Sequence, residues 1–158
     1  MGAKRTFVDL DAAGPRHEYR AILAKIKKDA VCPFCPQNFK YHTRPILHET
    51  RHWLSTENFA PYIGTKHQFL LLHKKHIEHL TEMSPAAWGE LLKHAQWLCK
   101  KYDLPAGSIF MRFGDVKYTN ASVAHLHAQL LIGTKRAKKT FPIAPPLGFS
   151  TKPYIPKK

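Results

Sequence analysis

The sequence lacks any apolar run approaching the roughly 20 residues that a transmembrane helix needs. Its opening stretch, MGAKRTFVDL, lacks the apolar core of a secretory signal peptide, and no internal repeat is present. We therefore expect no membrane association and a cytoplasmic location. With 158 residues, of which 44% are hydrophobic, the chain is long enough to bury the core of one ordinary domain.

Cysteine is also scarce, with three residues in the whole chain. In a chain without an export signal, few cysteines indicate a reducing compartment. Cys32 and Cys35, in the stretch CPFC, are then better explained as metal ligands than as a disulfide. The third, Cys99, lies on the apolar stripe of a predicted helix, so we interpret it as a small buried hydrophobic residue.

Acidic residues number 11 against 25 lysines and arginines, a net charge of +14, and no Asp or Glu follows Asp115. Such a surface attracts polyanions, and both a nucleic-acid-binding protein and a small phosphate-binding enzyme would carry it. We expect weak, salt-sensitive nucleic-acid binding without sequence preference. The residues expected to mediate it lie in the tail: Lys135, Arg136, Lys138 and Lys139.

Hydrophobic periodicity predicts an α+β domain built on an antiparallel sheet with flanking helices. One helix is predicted from about His17 to Ala30, and a longer one begins with Ser84 as N-cap and Pro85 in the first turn. Strands are predicted at 46–54, 67–73, 108–113 and 122–132. The expected organisation is an N-terminal segment (1–30), a central domain (31–134) and a basic, proline-rich tail (135–158).

The stretch SVAHLHAQLLIG, residues 122–133, carries three polar side chains at alternate positions: His125, His127 and Gln129. Read as one strand, it places all three on one face and the intervening apolar residues on the other. An imidazole is largely unprotonated at pH 7 and is a competent nucleophile toward phosphorus. Attack on a nucleotide α-phosphate would give a covalent phosphoramidate, with neighbouring donors holding the phosphate oxygens.

This stretch resembles the signature of the histidine-triad superfamily, His-φ-His-φ-His-φ-φ with φ apolar, and Gln129 replaces the third histidine. The His-x-His-x-Gln form is similar to the branch that contains galactose-1-phosphate uridylyltransferase and diadenosine polyphosphate phosphorylases. The stretches HQFLLLHKKHIEHLTEMSP, ENFAPYIGTKHQFL and CPFC resemble other family motifs in the expected order. The resemblance covers about residues 30–135.

The resemblance implies a nucleotide hydrolase or nucleotidyltransferase with a histidine-triad fold and a covalent histidine–nucleotide intermediate. His127 matches the nucleophile, and Gln129 matches the residue that contacts the phosphate. Ser122 matches a phosphate contact, Asn58 a ribose contact, and Phe59 is expected to line the base pocket. The expected substrate is a nucleotide or dinucleoside polyphosphate.

Two further features follow from the family. Its Asn-x-Gly loop has no clean counterpart in FGDVKYTNAS, where Asn120 is the candidate substitute. Many members are dimers, which makes a homodimer compatible with the sequence. The base, the leaving group and the acceptor are not determined by the motifs.

The resemblance also implies a structural zinc ion, four-coordinate and therefore not one that activates water. Its implied ligands are Cys32, Cys35, His76 and His125. His73 and His79 lie close enough in sequence to be alternatives to His76.

A zinc finger is the competing interpretation, because Cys32, Cys35, His48 and His52 have the spacing Cys-x2-Cys-x12-His-x3-His. That motif requires both histidines on a helix. Pro45 disfavours a helix there, and residues 46–54 favour a strand. The alternatives are thus a zinc-containing nucleic-acid-binding module without catalysis, or a histidine-triad domain acting on nucleic-acid ends with its tail as a clamp.

Overall fold

A five-stranded sheet organises the protein, of which the computed structural model describes residues 5–152. The strands are β1 (Ile46–Glu49), β2 (Trp53–Glu57), β3 (His67–His73), β4 (Ser108–Arg112) and β5 (His127–Ile132). Their order is β1-β2-β3-β5-β4, and every neighbouring pair is antiparallel. The outermost residues of the predicted N-terminal segment and tail lie outside the described range.

The helices are α1 (His17–Asp29), α2 (Pro85–Lys101) and the short α3 (Val116–Thr119). The predictions for the two long helices are confirmed. The Ser84 hydroxyl accepts a hydrogen bond from the Ala87 amide and caps α2, as expected for serine before a first-turn proline. No helix within residues 5–152 is both long enough and apolar enough to cross a bilayer.

Helices cover both faces of the sheet, and each face has its own apolar core. On one face, α1 packs against β2 and β3; the core residues include Leu23, Ile26, Leu54, Leu70 and Leu72. On the other face, α2 packs against the same strands; the core residues include Leu91, Leu98, Trp53, Phe69 and Leu71. The predicted α+β fold class is confirmed. The division of the chain at residues 30 and 134 stays a prediction.

The final predicted strand is shorter than expected, because β5 begins at His127 and not at Ser122. The residues before it form backbone hydrogen bonds outside the sheet. The Ala124 amide donates to the Phe7 carbonyl, and the Leu126 amide donates to the Ile77 carbonyl. His125 therefore precedes the strand, and the prediction that it shares a strand face with His127 and Gln129 is wrong.

The prediction of one strand over residues 46–54 is also wrong, because a turn at residues 50–52 separates β1 from β2. A polar network lies between this turn and α2. The Glu90 carboxylate accepts hydrogen bonds from the Thr50 hydroxyl and from the amide and ring of His52. His94, with no exposed surface, contacts the Ser55 hydroxyl at 2.5 Å and the Thr50 hydroxyl at 3.0 Å.

Burial, and after it the nearby His48, lowers the pKa of His94 to about 4, while Glu90 acts in the opposite direction. Because this pKa lies below that of the unfolded chain, about 6.5, the unfolded state gains the proton first as the pH falls. Stability conferred by neutral His94 is present above pH 6.5 and is lost between about pH 6.5 and pH 4.

We predict that the free energy of unfolding of His94→Gln depends less on pH than that of the wild type. Lowering the pH from 7 to 5 should cost the wild type about 2 kcal/mol more than the variant. Urea titrations of both proteins at the two pH values measure this difference. Equal losses would show that His94 does not stay neutral in the fold.

Candidate functional site

Four side chains from three separate parts of the sequence meet at one end of β5: Cys32, Cys35, His76 and His125. Their ligand atoms all lie within 4.8 Å of one another. His125 Nδ1 lies 3.3 Å from Cys32 Sγ and 3.2 Å from His76 Nδ1, and His76 Nδ1 lies 3.4 Å from Cys35 Sγ. Two thiols and two imidazoles at such distances match the donor set of a tetrahedral zinc site.

Hydrogen bonds to the outer ring nitrogens orient both histidines of this cluster. His125 Nε2 lies 2.6 Å from the His73 carbonyl oxygen, which can only accept, so Nε2 carries the proton and Nδ1 presents its lone pair to the thiols. His76 Nε2 lies 3.1 Å from Glu78 Oε1. Carbonyl and carboxylate partners of this kind are typical of histidines that ligate metal.

The sequence left His73 and His79 as alternatives to His76, and the structure places both elsewhere. The His73 ring contacts the Lys75 carbonyl, and the His79 ring caps the short helix that begins at Leu80. In the described part of the chain, the only group of metal-binding side chains close enough to share an ion contains His76.

Burial disfavours the charged forms of Cys32, Cys35 and His125 in the absence of a cation, as their pKa values show. It raises the pKa of the Cys32 thiol to about 12 and lowers the pKa of His125 to about 3. A divalent cation would instead favour the thiolate form of the cysteines, since it binds thiolates and displaces the thiol protons. Neutral His125 is already in the form that ligates metal.

His127, the first residue of β5, is oriented by the backbone of the same cluster. Its Nδ1 lies 2.6 Å from the His125 carbonyl oxygen, which again can only accept. The proton therefore sits on Nδ1, and Nε2 keeps its lone pair and has no hydrogen-bond partner within residues 5–152. The Phe34 ring packs edge-on against the imidazole at 5.1 Å.

The environment keeps His127 neutral. The side chain is 4% exposed, and burial, followed by the nearby Arg112 guanidinium, lowers its pKa to about 4. A neutral imidazole with an unprotonated Nε2 is the form that attacks an electrophile.

Gln129 lies two residues further along β5, on the same face as His127. Its Oε1 accepts a hydrogen bond from Gln68 Nε2, and Gln68 Oε1 accepts one from the Tyr62 amide. This chain of bonds fixes the Gln129 carboxamide and leaves its NH2 group as a donor. The predicted pairing of His127 and Gln129 on one strand face is present.

A cleft beside His127 contains most of the predicted nucleotide-binding residues. Asn58, Phe59 and Ser122 all line it, and the Ser122 hydroxyl lies 2.6 Å from the Tyr19 hydroxyl. Asn120 does not line it. Asn120 ends α3 in the left-handed conformation with φ 54°, and it reaches the site only through its backbone carbonyl, which accepts from Arg112.

Other polar residues of the cleft were not predicted from the sequence, among them Arg16, Tyr19, His42, Tyr62 and Arg112. They come from α1, from loops and from the end of β4, so only the folded topology brings them together. Arg112 had one weak signal, a charged residue at the end of a predicted strand. The enclosed space is about 40 Å³, which holds a few water molecules, so a nucleotide would have to displace covering side chains.

The zinc-finger alternative is wrong. His48 lies on β1, where its ring stacks on Trp97 at 4.6 Å, and His52 lies in the following turn, bound to Glu90. Neither histidine is on a helix, and neither belongs to the cluster around Cys32 and Cys35.

The fold is similar to that of solved histidine-triad proteins. A histidine-triad family hydrolase from Clostridium thermocellum matches with a TM-score of 0.55 and 19% identity, covering 70% of this chain and 96% of the other. A zinc-bound histidine triad family protein from Mycobacterium smegmatis matches at 0.53 and 18%, covering 72% and 83%. A histidine triad nucleotide-binding protein from Candida albicans matches at 0.53 and 19%, covering 71% and 87%.

No protein-family model and no curated protein sequence matches the chain. At 17–19% identity, the structural matches establish the fold. The chain thus has a histidine-triad fold, with a cysteine and histidine cluster beside the start of β5.

We predict that the protein binds one zinc ion per chain through this cluster. Cys32→Ser, Cys35→Ser and His125→Asn should each lower both zinc content and thermal stability, because each removes a ligand. Glu78→Gln should weaken zinc affinity by about 10-fold to 100-fold, since it removes the carboxylate partner of His76. Elemental analysis and competition with a chelator measure these effects.

His48→Asn and His52→Asn are the matched controls, since both alter histidines outside the cluster. They should leave zinc content unchanged. Loss of zinc in these controls, with retention in His76→Asn, would contradict the proposed ligand set.

Proposed function

We propose that the protein is a histidine-triad nucleotide hydrolase or nucleotidyltransferase that acts on the α-phosphate of a nucleotide through His127. The observation that carries the proposal is the orientation of this imidazole. Its Nδ1 proton is committed to the His125 carbonyl, and its Nε2 lone pair faces a cleft lined by Gln129 and Ser122, the side chains we propose to bind phosphate. The fold shared with histidine-triad hydrolases and nucleotide-binding proteins supports the assignment.

The proposed reaction has two steps. His127 Nε2 attacks the α-phosphorus, a P–N bond forms, and the bond from phosphorus to the leaving group breaks, with the electron pair departing on that group. An acceptor hydroxyl or water then attacks phosphorus, the P–N bond breaks, and the acceptor's proton is released. Because the Nδ1 proton stays on the ring, hydrogen-bonded to the His125 carbonyl, the covalent imidazole carries a positive charge that favours its departure.

Gln129 and Ser122 are the proposed phosphate-binding groups. The Gln129 NH2 group lies on the strand face of His127, where it can donate to a phosphate oxygen as negative charge develops. Asn58 and Phe59 are the proposed contacts for ribose and base. These assignments extend the family resemblance to side chains that the fold brings to one cleft.

We further propose that the cluster of Cys32, Cys35, His76 and His125 holds a structural zinc ion. Four protein ligands leave no open position for substrate or water. Bound there, the ion would supply rigidity: it ties the CPFC turn to the residue whose carbonyl orients His127. The zinc-bound histidine-triad protein from Mycobacterium smegmatis supports a metal in this fold.

A homodimer stays a prediction of the family resemblance. Weak nucleic-acid binding by the tail, and action on nucleic-acid ends, stay predictions of the charge distribution. The described part of the tail, to residue 152, contains no helix or strand, and its lysines and arginine at 135–139 are exposed. Product analysis with and without inorganic phosphate would separate a phosphorylase from a hydrolase.

We predict that brief mixing with a nucleoside phosphoramidate or dinucleoside polyphosphate adds one nucleoside monophosphate to the chain. Intact-mass spectrometry would detect the adduct, which should be acid-labile as a phosphoramidate is. His127→Asn should abolish adduct and turnover together, because the variant lacks the imidazole that forms the covalent bond to phosphorus. His48→Asn is the matched control and should form the adduct normally. Full turnover by His127→Asn would contradict the mechanism.

Gln129→Ala tests stabilisation of the transition state separately from the nucleophile. We expect kcat to fall by about 10²–10³, the usual loss for one such donor, while nucleotide binding changes little. Single-turnover kinetics would assign the loss to adduct formation. Unchanged kcat with weakened binding would assign Gln129 to ground-state binding instead.

A further inference from the structure

Arg112 is a buried cation beside the proposed nucleophile, and the reaction as proposed so far gives it no role. It ends β4, and its Cα is the direct antiparallel partner of His127 on β5. Residues paired in this way place their Cβ atoms about 4.5–5.5 Å apart on the same sheet face. Both side chains line the same cleft.

The guanidinium has no anionic partner within residues 5–152. Its Nη1 donates to the carbonyls of Asn120 and Pro146 at 3.0 and 2.9 Å, and its Nη2 donates to the Tyr62 hydroxyl at 3.1 Å. All three acceptors are neutral, and none of the ion pairs in the described structure involves Arg112.

One nitrogen of this group, Nε, makes no hydrogen bond in the described structure. The side chain is 91% buried, as its exposed fraction is 9%. Burying a permanent charge and an unpaired N–H is costly unless an anion completes the site. Guanidinium is also the side-chain group that best matches phosphate oxygens.

Arg16, the other arginine of the cleft, has no guanidinium nitrogen without a hydrogen bond in the described structure. Its three nitrogens all donate to backbone carbonyls, those of Ala12, Ala13 and Ala60. Its guanidinium also lies over the rings of Tyr19 and Tyr62. Arg16 is therefore committed to holding the loops together, whereas Arg112 keeps a donor free for a ligand.

We infer that Arg112 binds a phosphate oxygen of the leaving group and so selects substrates whose leaving group carries its own phosphate. This inference rests on the proposed function, because it assumes that His127 attacks the α-phosphorus. In that step, the bond from the α-phosphorus to the bridging oxygen breaks and its electron pair stays on the departing phosphate. Arg112, fixed across the strand pair, offsets that increase in negative charge without a proton transfer.

The test compares two substrates of the same nucleoside in each variant. A dinucleoside polyphosphate has a phosphate-bearing leaving group, and a nucleoside 5′-phosphoramidate releases an amine. Arg112→Met should lower kcat/KM by about 100-fold for the first and by less than about fivefold for the second. Arg112→Lys, which keeps the charge, should give an intermediate ratio. Arg51→Met, which changes an exposed arginine in the β1–β2 turn, should leave both values unchanged.

The ratio of the two values within one variant is the readout, since partial unfolding would lower both equally. Equal losses for the two substrates, or no loss for either, would overturn the inference. Thermal unfolding with inorganic pyrophosphate gives a readout that does not depend on turnover. Pyrophosphate should raise the Tm of the wild type and Arg51→Met but raise that of Arg112→Met much less, and equal shifts in all three would count against a phosphate site at Arg112.

Failure of the proposed function would look different. Absence of any covalent adduct on His127 with either substrate would defeat the nucleotidyl-transfer mechanism. Pyrophosphate protection that still requires Arg112 would, in that case, support the phosphate-binding part of the inference by itself.

Discussion

The ring and the backbone carbonyl of His125 connect the cysteine and histidine cluster with the cleft beside His127. Most of the geometry of the site depends on this residue. The ring reaches the cysteines through Nδ1 and the His73 carbonyl through Nε2. The carbonyl of the same residue accepts a hydrogen bond from His127 Nδ1. A single residue therefore orients both the proposed metal cluster and the tautomer of the proposed nucleophile. His125 does this from outside the strand, because β5 begins at His127.

The sheet fixes the position of the segment that contains His125. The His73 amide donates to the Leu126 carbonyl at 3.2 Å, and the His73 carbonyl accepts a hydrogen bond from the His125 ring. The end of β3 therefore fixes the segment that leads into β5 through two hydrogen bonds. The His73 side chain packs against Trp53 on the α2 face. Packing on one face of the sheet thus supports chemistry on the other. The charged groups are also divided between the two faces. The cleft contains cationic and neutral donors, and the hydrogen-bond network of the Glu90 carboxylate lies beneath α2 on the other face.

Local pattern was enough to predict much of the site. Alternation along β5 predicted that His127 and Gln129 share a face, because strand geometry is set by neighbouring residues. The four cluster residues followed from the family resemblance. The start of β5 was mispredicted because the residues before it bond to Phe7 and to Ile77, which are remote in sequence. Arg112 and Tyr19 were missed for a related reason. The register between β4 and β5 places Arg112 at the site, and the packing of α1 places Tyr19 there. Neither relation is encoded in a local spacing.

The central claim is that the His125 carbonyl holds the proton of His127 on Nδ1 and leaves Nε2 as the free nucleophile. Nitrogen-15 NMR of the imidazole rings, assigned through a His127→Asn comparison, reports the protonation of each ring nitrogen directly. At pH 7 we expect a neutral His127 ring with a protonated Nδ1 and an unprotonated Nε2. A ring protonated on Nε2, or a doubly protonated ring, would contradict the claim, because no lone pair would then face the cleft.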